Sequence, residues 1–417
     1  MKSITFLLLI YLLMPAKIVA QAWSPVGGGT NDWVRSLCVY DDALYAGGDF
    51  ISAGGVVVSG VAKWDGTNWS AFGTPSNVIQ FLKVYNNELF EGGSMGFSKW
   101  DGTDWVTVGT GGPGGHVYTL EVFNNKLYAA GHTSGIYQWD GSSWSIIGTP
   151  SSDVYALCSF NGELYAAGAF TTINSIPASA IAKWDGSVWS SVDAGILGGS
   201  LDAMDSYNNE LYVGGIFTSG AGNVGDYIMK WNGSNWLSVG SSASGRVMEI
   251  DSIDGNLYIG GYFSSVSGVN ANGIAFFDGS AWNAMGSGIN SGSNLSTVTK
   301  FQGSIYAGGT FTVAGGDICL HIAKWDNSTG IIEMTGLNHL SIFPNPIYSS
   351  AILKSVSELQ NANLSICNIF GQEVKKIKNI SGQEIRLQRD NLQGGLYYIY
   401  LTQDNKTMMT DKIVIID

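Results

Sequence analysis

Arginine, histidine, proline and cysteine are all scarce in this chain of 417 residues, and each scarcity excludes something. Charged side chains make up 13% of it, about half the usual quarter. Between residues 21 and 336 the only arginines are Arg35 and Arg246. A sialidase needs an arginine cluster for its substrate carboxylate, so that chemistry is excluded. The same stretch holds only His116, His132 and His321, none at a metal-ligand spacing. A copper site of two His, a Cys-linked Tyr and a further Tyr is not indicated. No HExxH motif, phosphate-binding loop or nucleophile elbow occurs. The four cysteines are few for a secreted scaffold, and Cys38 and Cys158 fall at the same repeat position. They read as small buried apolar residues, with a disulfide as the lesser alternative. No apolar run reaches the roughly 20 residues a membrane helix needs.

Glycine and aromatics are abundant instead: 57 Gly, 14 Trp, 19 Tyr and 17 Phe against only 8 Pro. Such a composition is not disordered. It predicts an all-β chain with glycine turns and aromatic packing. Net charge is −13, and residues 21–336 carry 10 basic against 26 acidic side chains. A field of that sign repels phosphate backbones and anionic lipid, so nucleic acid is not an expected partner.

The N-terminus has the three parts of a secretion signal: Lys2, the apolar run Ile4 to Met14, and Ile18-Val19-Ala20 before Gln21. Residues 1–20 are therefore expected to be a signal peptide. The first cysteine is Cys38, so a lipid anchor at the cut is not indicated.

Seven repeats follow. An apolar-aromatic pair recurs at Leu44-Tyr45, Leu89-Phe90, Leu127-Tyr128, Leu164-Tyr165, Leu211-Tyr212, Leu257-Tyr258 and Ile305-Tyr306. Two small residues come next, as in Gly47-Gly48. An aromatic turn closes each unit, beginning at Trp64, Trp100, Trp139, Trp184, Trp231, Phe277 and Trp325. Five residues later, six units carry a second Trp: Trp69, Trp105, Trp144, Trp189, Trp236 and Trp282. Asn-Asn, Asn-Gly and Asp-Asp pairs supply the positive φ of two-residue hairpins between strands one and two. The Asp-Gly pairs are expected to do the same between strands three and four. Four short antiparallel strands per repeat predict β-propeller blades. The seventh unit lacks its second Trp, and Trp23 near the N-terminus sits in a fourth-strand pattern. The N-terminal strand is thus expected to close the last blade, with Ile331–Met334 as a rival. The predicted fold is a seven-bladed β-propeller over residues 21–336 plus a small C-terminal antiparallel β-sandwich over 337–417.

A strand ending in Gly-Gly, followed by an aromatic turn and then Trp, resembles kelch repeats and the central propeller of galactose oxidase. Runs such as Ile181-Ala182-Lys183-Trp184-Asp185-Gly186 are equally similar to the tandem repeats of fungal cortical polarity markers. The resemblance implies a propeller and leaves function open. The C-terminal segment resembles the sorting domain of the bacterial type IX secretion system. Its matching residues are Phe343, Pro344, Asn345, Pro346, Gly371, Gly395, Tyr397 and Lys412, within Leu340–Pro346, Ile369–Val374, Leu392–Tyr397 and Lys412–Ile415. That resemblance implies the secretion machinery as a partner, with passage through the periplasm and outer membrane of a Gram-negative bacterium. The product would be secreted or held at the cell surface.

Two repeated features have two readings each. The Trp residues serve blade-to-blade packing or sugar stacking, and packing fits a position filled in nearly every unit. Lys63, Lys99, Lys183, Lys230 and Lys324 precede the first Trp. They form a ring of cations for an anionic ligand, or apolar stems whose ammonium groups meet nearby carboxylates. Loop length supplies the positional clue. From the second small residue to the first aromatic the gap is 16 residues in units one, four, five, six and seven, but 7 in unit two and 8 in unit three. One face is thus built up on five blades and notched over two, and it is the expected binding face, with the notch as its pocket. A hairpin belonging to the fold would also explain the constant 16. No cofactor is predicted, with Ca²⁺ left open because Asp-rich loops build easily. The expected role is non-catalytic recognition of a glycan or surface protein. The alternatives are a secreted carbohydrate-active enzyme and a purely structural surface component.

Overall fold

The structure, a computed structural model, describes residues 22–75, 78–94, 96–290, 292–326, 341–368, 372–403 and 406–416. The expected signal peptide, the rival strand 331–334 and Gly371 lie outside them. Contacts divide the chain into two units, Met1–Thr329 and Gly330–Asp417.

The first unit contains seven four-stranded antiparallel sheets among the described residues. The first sheet joins Val34–Tyr40, Ala43–Gly48, Val61–Trp64 and Trp69–Ala71 in that order. The innermost strands of the seven are Val34–Tyr40, Ile79–Tyr85, His116–Phe123, Val154–Phe160, Ser200–Tyr207, Val247–Ile253 and Leu295–Phe301. Each packs on the next, and the last packs on the first, so the ring closes as a β-propeller. In the seventh sheet Ala22–Pro25 pairs with Ile322–Asp326, and Trp23 stands opposite Trp325. Trp23 is buried, and its Nε1 donates to the carbonyl of Met285 on the sixth blade at 2.8 Å. Closure leaves no open end and ties down a terminus that would otherwise fray.

The two kinds of tight turn differ chemically. Between strands one and two, both central residues are left-handed, as at Asn86 (φ 47°) and Asn87 (φ 60°). The Asp-Gly turns between strands three and four depart from the expectation, because only the glycine is left-handed, as at Gly66 (φ 102°). The Asp instead accepts backbone bonds. Asp65 Oδ1 takes the N–H groups of Thr67 and Asn68, both at 2.7 Å. Asp101, Asp140, Asp185, Asp278 and Asn232 repeat the arrangement. An Asx turn explains the residue type better than tolerance of positive φ. The same bonds hold the carboxyls of Asp65, Asp101 and Asp185 below the usual carboxylate range.

In each blade the two aromatics pair across strands three and four, with ring centroids 5.2–5.7 Å apart. In three further blades, as at Trp23, the second Trp also bonds the preceding blade. Trp69 Nε1 donates to Val26, Trp144 to Val108 and Trp189 to Ile147, at 2.9–3.1 Å. The glycine after that residue makes room for the rings: a Cβ on Gly27 would come within 2.3 Å of Trp64. The Trp repeat therefore packs blade on blade.

The constant gap of 16 residues corresponds to a small hairpin on blades one, four, six and seven, such as Thr172–Ile173 with Ile176–Pro177. Each hairpin is bridged to the connection entering its own blade, at Thr30–Ala53, Pro150–Ile173, Ala243–Val266 and Ile289–Ala314. Ala53, Ile173, Val266 and Ala314 are all buried. These hairpins belong to the fold. In blade five the segment instead holds a short 3-10 turn, Ser219–Ala221.

In the second unit, Ser341–Phe343, Ser350–Cys367, Glu373–Gln388, Gly395–Gln403 and Lys406–Ile415 form one five-stranded sheet. Register shifts between Lys354 and Leu364 bend the long Ser350–Cys367 strand. Residues from both halves, including Leu353, Leu364, Ile385 and Ile399, then share one core. The sandwich is thus a single sheet folded over. Ile347 bridges to Ile415 in parallel, and Asn345 clamps the last strand. Its Oδ1 accepts from Val414 N–H at 2.9 Å and its Nδ2 donates to the Lys412 carbonyl at 3.1 Å. Tyr397 is buried, with its hydroxyl donating to the Gln393 carbonyl at 2.9 Å. Phe343 is exposed.

Candidate functional site

All seven inner strands share one irregularity. The pairing with strand two shifts register at the same place, between Val34 and Ser36, Ile79 and Phe81, Val117 and Thr119, and at the four equivalent points. The residues left over are Arg35, Gln80, Tyr118, Tyr155, Asp202, Met248 and Ser296. A β-bulge re-aims the extra side chain. All seven residues are partly buried, with the Asp202 side chain only 7% exposed, and each is preceded by a fully buried residue. They stand near the start of the inner strands. Chain direction puts that end on the face carrying the hairpins and the links between blades. The bulges therefore ring the mouth of the central axis on the expected binding face.

The paired small residues make the bulge possible. A Cβ on Gly48, Gly131, Gly168, Gly215, Gly261 or Gly309 would lie 2.1–2.2 Å from a carbonyl oxygen of the inner strand or of the residue leading into it. Only glycine lets that backbone approach. The bulge residue stands thirteen positions before this glycine in every unit, as Arg35 does before Gly48. That spacing was the available signal. It was missed because the residue type at the position changes from blade to blade.

The mouth is polar, aromatic and internally paired. Arg35 forks onto Asp49, Nε to Oδ1 at 2.7 Å and Nη2 to Oδ2 at 2.8 Å, with its guanidinium 3.6 Å from the centre of the Trp33 ring. Trp33 Nε1 donates to Ser296 Oγ at 2.7 Å. Arg246 forks onto Asp202 at 2.8 Å for both bonds, which raises its pKa further. The rings of Tyr118 and Tyr155, on adjacent blades, lie 5.7 Å apart. Burial, then Asp153, pushes both hydroxyls up. His116 and His132 are cross-strand partners, which their sequence spacing hid. His132 Nδ1 lies 2.6 Å from Asp153 Oδ1. Among the described residues no three His, Cys, Asp or Glu side chains are grouped to hold a metal.

Behind the mouth, side chains cap the unpaired edges of the inner strands. Leu37 N–H donates to Thr297, Leu82 N–H to Ser36 and Leu157 N–H to Thr119, each on the preceding blade, at 2.9–3.3 Å. Glu249 accepts from Val298 N–H at 3.2 Å and Asp205 from Ser252 N–H at 2.7 Å. Carboxylates thereby collect around the axis: Glu121, Asp205, Glu249 and Asp251, with Lys83 3.7 Å from Glu121. Burial, then Asp205, pushes Asp251 up to about 7. Burial, then Asp251, holds Glu249 well above the usual range. Cys38 and Cys158 share the Asp251 position in their own blades, and all four cysteines are free thiols. Cys158 and Cys319 are buried, whereas Cys38 and Cys367 are only partly so.

The repeated lysines follow the structural reading in four blades. Lys99, Lys183 and Lys230 reach Glu88, Glu163 and Glu210 of strand two at 2.6–2.9 Å, and Lys324 reaches Asp326 at 2.9 Å. Lys63, whose blade has Ala43 at the Glu position, lies 5.8 Å from the centre of the Tyr45 ring. Blade three has Lys126 at the Glu position and Gln138 at the Lys position.

The notch between blades two and three contains a hollow of about 270 Å³ lined by Phe97, Val108, Trp144 and glycine backbone. A second, of about 290 Å³, lies on the built-up side beside Tyr262 and Asn290. On the opposite face, hollows recur between the turns of neighbouring blades, the largest about 420 Å³ between blades four and five. Their recurrence marks them as gaps between turns.

Comparison with known proteins agrees with this architecture. Residues 341–416 match the family model of the secretion system C-terminal sorting domain. Residues 254–275 match that of a β-propeller domain of unknown function. The chain is a β-propeller repeat protein with a type IX sorting domain, exported by that system to the cell surface or beyond. The sorting domain makes the secretion machinery a partner. Among solved structures, the chain is similar to the extracellular domain of a protein described as a hybrid two-component system from B. thetaiotaomicron. Identity is 12% and the TM-score 0.50, with 95% of this chain and 59% of that one covered. This chain thus spans less than two thirds of that relative, and the likeness concerns the fold. It is also similar to the computationally designed Ika8 protein, at 12% identity and TM-score 0.47, over 73% of this chain and 99% of that one. No curated protein sequence matches. Among the described residues no helix is long and apolar enough to cross a membrane.

Proposed function

We propose that the propeller is a non-catalytic recognition module that binds a glycan or surface protein through the mouth of its hairpin-bearing face. In this reading residues 1–20 direct export, 21–336 bind, and 337–417 are read by the type IX machinery. The observation that carries it is the set of seven bulges, which place one variable, partly exposed residue per blade around one mouth. A repeated bulge costs pairing in every blade, and bulges collect where a side chain must be re-aimed. Variable residues on a constant backbone are also what a recognition surface needs. The test is an array of glycans and surface proteins probed with the purified chain, with and without Ca²⁺. Saturable binding without product supports the reading.

A carbohydrate-active enzyme is the second reading, favoured by the raised carboxyls of Glu249 and Asp251. Against it, Glu249 and Asp205 already cap backbone N–H groups, a structural task. Release of reducing ends from a polysaccharide would favour the enzyme.

A further inference from the structure

We propose that the ligand of the mouth is a neutral oligosaccharide, with one sugar ring stacked against Tyr118 and Tyr155. This inference rests on the recognition reading above and narrows it.

Charge removes the anionic alternatives. Residues 21–336 carry 10 basic against 26 acidic side chains, a field that repels uronate or sulfate chains. The two arginines are the cations best suited to bind such groups, and both are already forked onto Asp49 and Asp202.

The remaining surface suits a sugar. A pyranose offers an apolar C–H face and a rim of hydroxyls. Tyr118 and Tyr155 present rings 5.7 Å apart and tilted by 40°, half-exposed, from adjacent blades. Aromatic side chains with one apolar face and a polar tip fit such a ligand. Beside them Asp153 is held by His132 at 2.6 Å, and the Asp202–Arg246 fork joins the next two blades. A carboxylate has about four acceptor sites, and a guanidinium five donors, so paired groups keep capacity for hydroxyls. Such an arrangement binds through planar hydrogen bonds while staying neutral overall.

The nearest built hollow lies one blade to the side. Blades two and three lack the hairpin, and the hollow of about 270 Å³ between them is floored by Phe97, Trp144 and glycine backbone. A protein partner would instead seek exposed apolar surface, which lies on hairpin residues such as Val57 and Ile318, 82% and 73% exposed.

The test titrates the full chain with cello-, malto-, xylo- and manno-oligosaccharides, with polygalacturonate, and with outer-surface proteins. The expected result is saturable binding of a neutral oligosaccharide at low and high salt alike. Tyr118→Ala and Tyr155→Ala should each weaken it by about tenfold or more, while Tyr118→Phe, which keeps the ring, should retain it. Near-ultraviolet circular dichroism checks that each variant is folded. Binding confined to polygalacturonate or to a protein overturns this inference and leaves the recognition reading standing. Neutral binding that survives both Ala variants overturns the stacking site. No binding by any probe overturns both.

Discussion

Lys183 separates two roles that its sequence position leaves open. Its ammonium lies 2.9 Å from Glu163, and both side chains are more than a quarter exposed. A pair so placed contributes under about 1 kcal/mol. Lys183→Met should therefore shift stability by less than that in urea unfolding and leave ligand titrations unchanged. Loss of binding would restore the idea of a cationic ring. The partner was legible in principle, since the Glu stands twenty residues before the Lys in blades four and five. It takes the strand register to see it, because in blade two the shorter loop reduces that separation to eleven. Asp at the turns was legible as a turn residue, but its Asx bond was not. Asn and Asp recur at both turn types, although Gln302 serves in the seventh blade, and only the backbone separates their reasons.

The element that matters is the bulged inner strand with its facing glycine. A Cβ at Gly168 would stand 2.1 Å from the Asp153 carbonyl oxygen. Gly168→Ala must displace the strand that carries Asp153 and Tyr155. It should cost about 1–3 kcal/mol, the usual price of overpacking, and weaken binding at the mouth. Urea unfolding read beside a ligand titration checks both. Gly255, which a Cβ would leave in open space but whose φ is 75°, tests turn strain without touching the mouth. Gly255→Ala should lower stability and leave affinity unchanged. Blades, turns, Trp pairs and the N-terminal closing strand could all be read in the sequence, because each repeats a residue type or fills a visible gap. The bulge residues could not. Arg35, Gln80, Tyr118 and Asp202 share a backbone position and no chemistry, so only their constant distance from a glycine marks them.

At the scale of the whole molecule, the axis concentrates carboxylates that folding brings together from distant blades. The folded protein holds the Asp251 proton up to about 7, against the ordinary 3.8 of an aspartate. Its contribution to stability is full below about pH 3.8 and is lost as pH rises through about 7. Burial and then Asp205 oppose its ionisation, while Lys83 favours it. Asp251→Asn should raise the urea midpoint at about pH 8 more than at about pH 5.5, flattening the pH profile between them. An unchanged profile would remove Asp251 from the axial cluster. The exposed turn aspartates act in the opposite sense and lower, since their depressed values cost stability only as pH falls below about 3.8. The sequence carried the net charge of the ring but not this gathering, because Glu121, Asp205 and Asp251 lie in three different repeats.

The most direct test of the mouth as the binding site is a crystal structure of the full chain with its tightest-binding probe. The account predicts the ligand on the hairpin-bearing face, against the bulge residues of blades three and four, with Tyr118 and Tyr155 in van der Waals contact. A ligand seated among the tight turns of the opposite face, or on the outer rim with the bulge residues untouched, would contradict it.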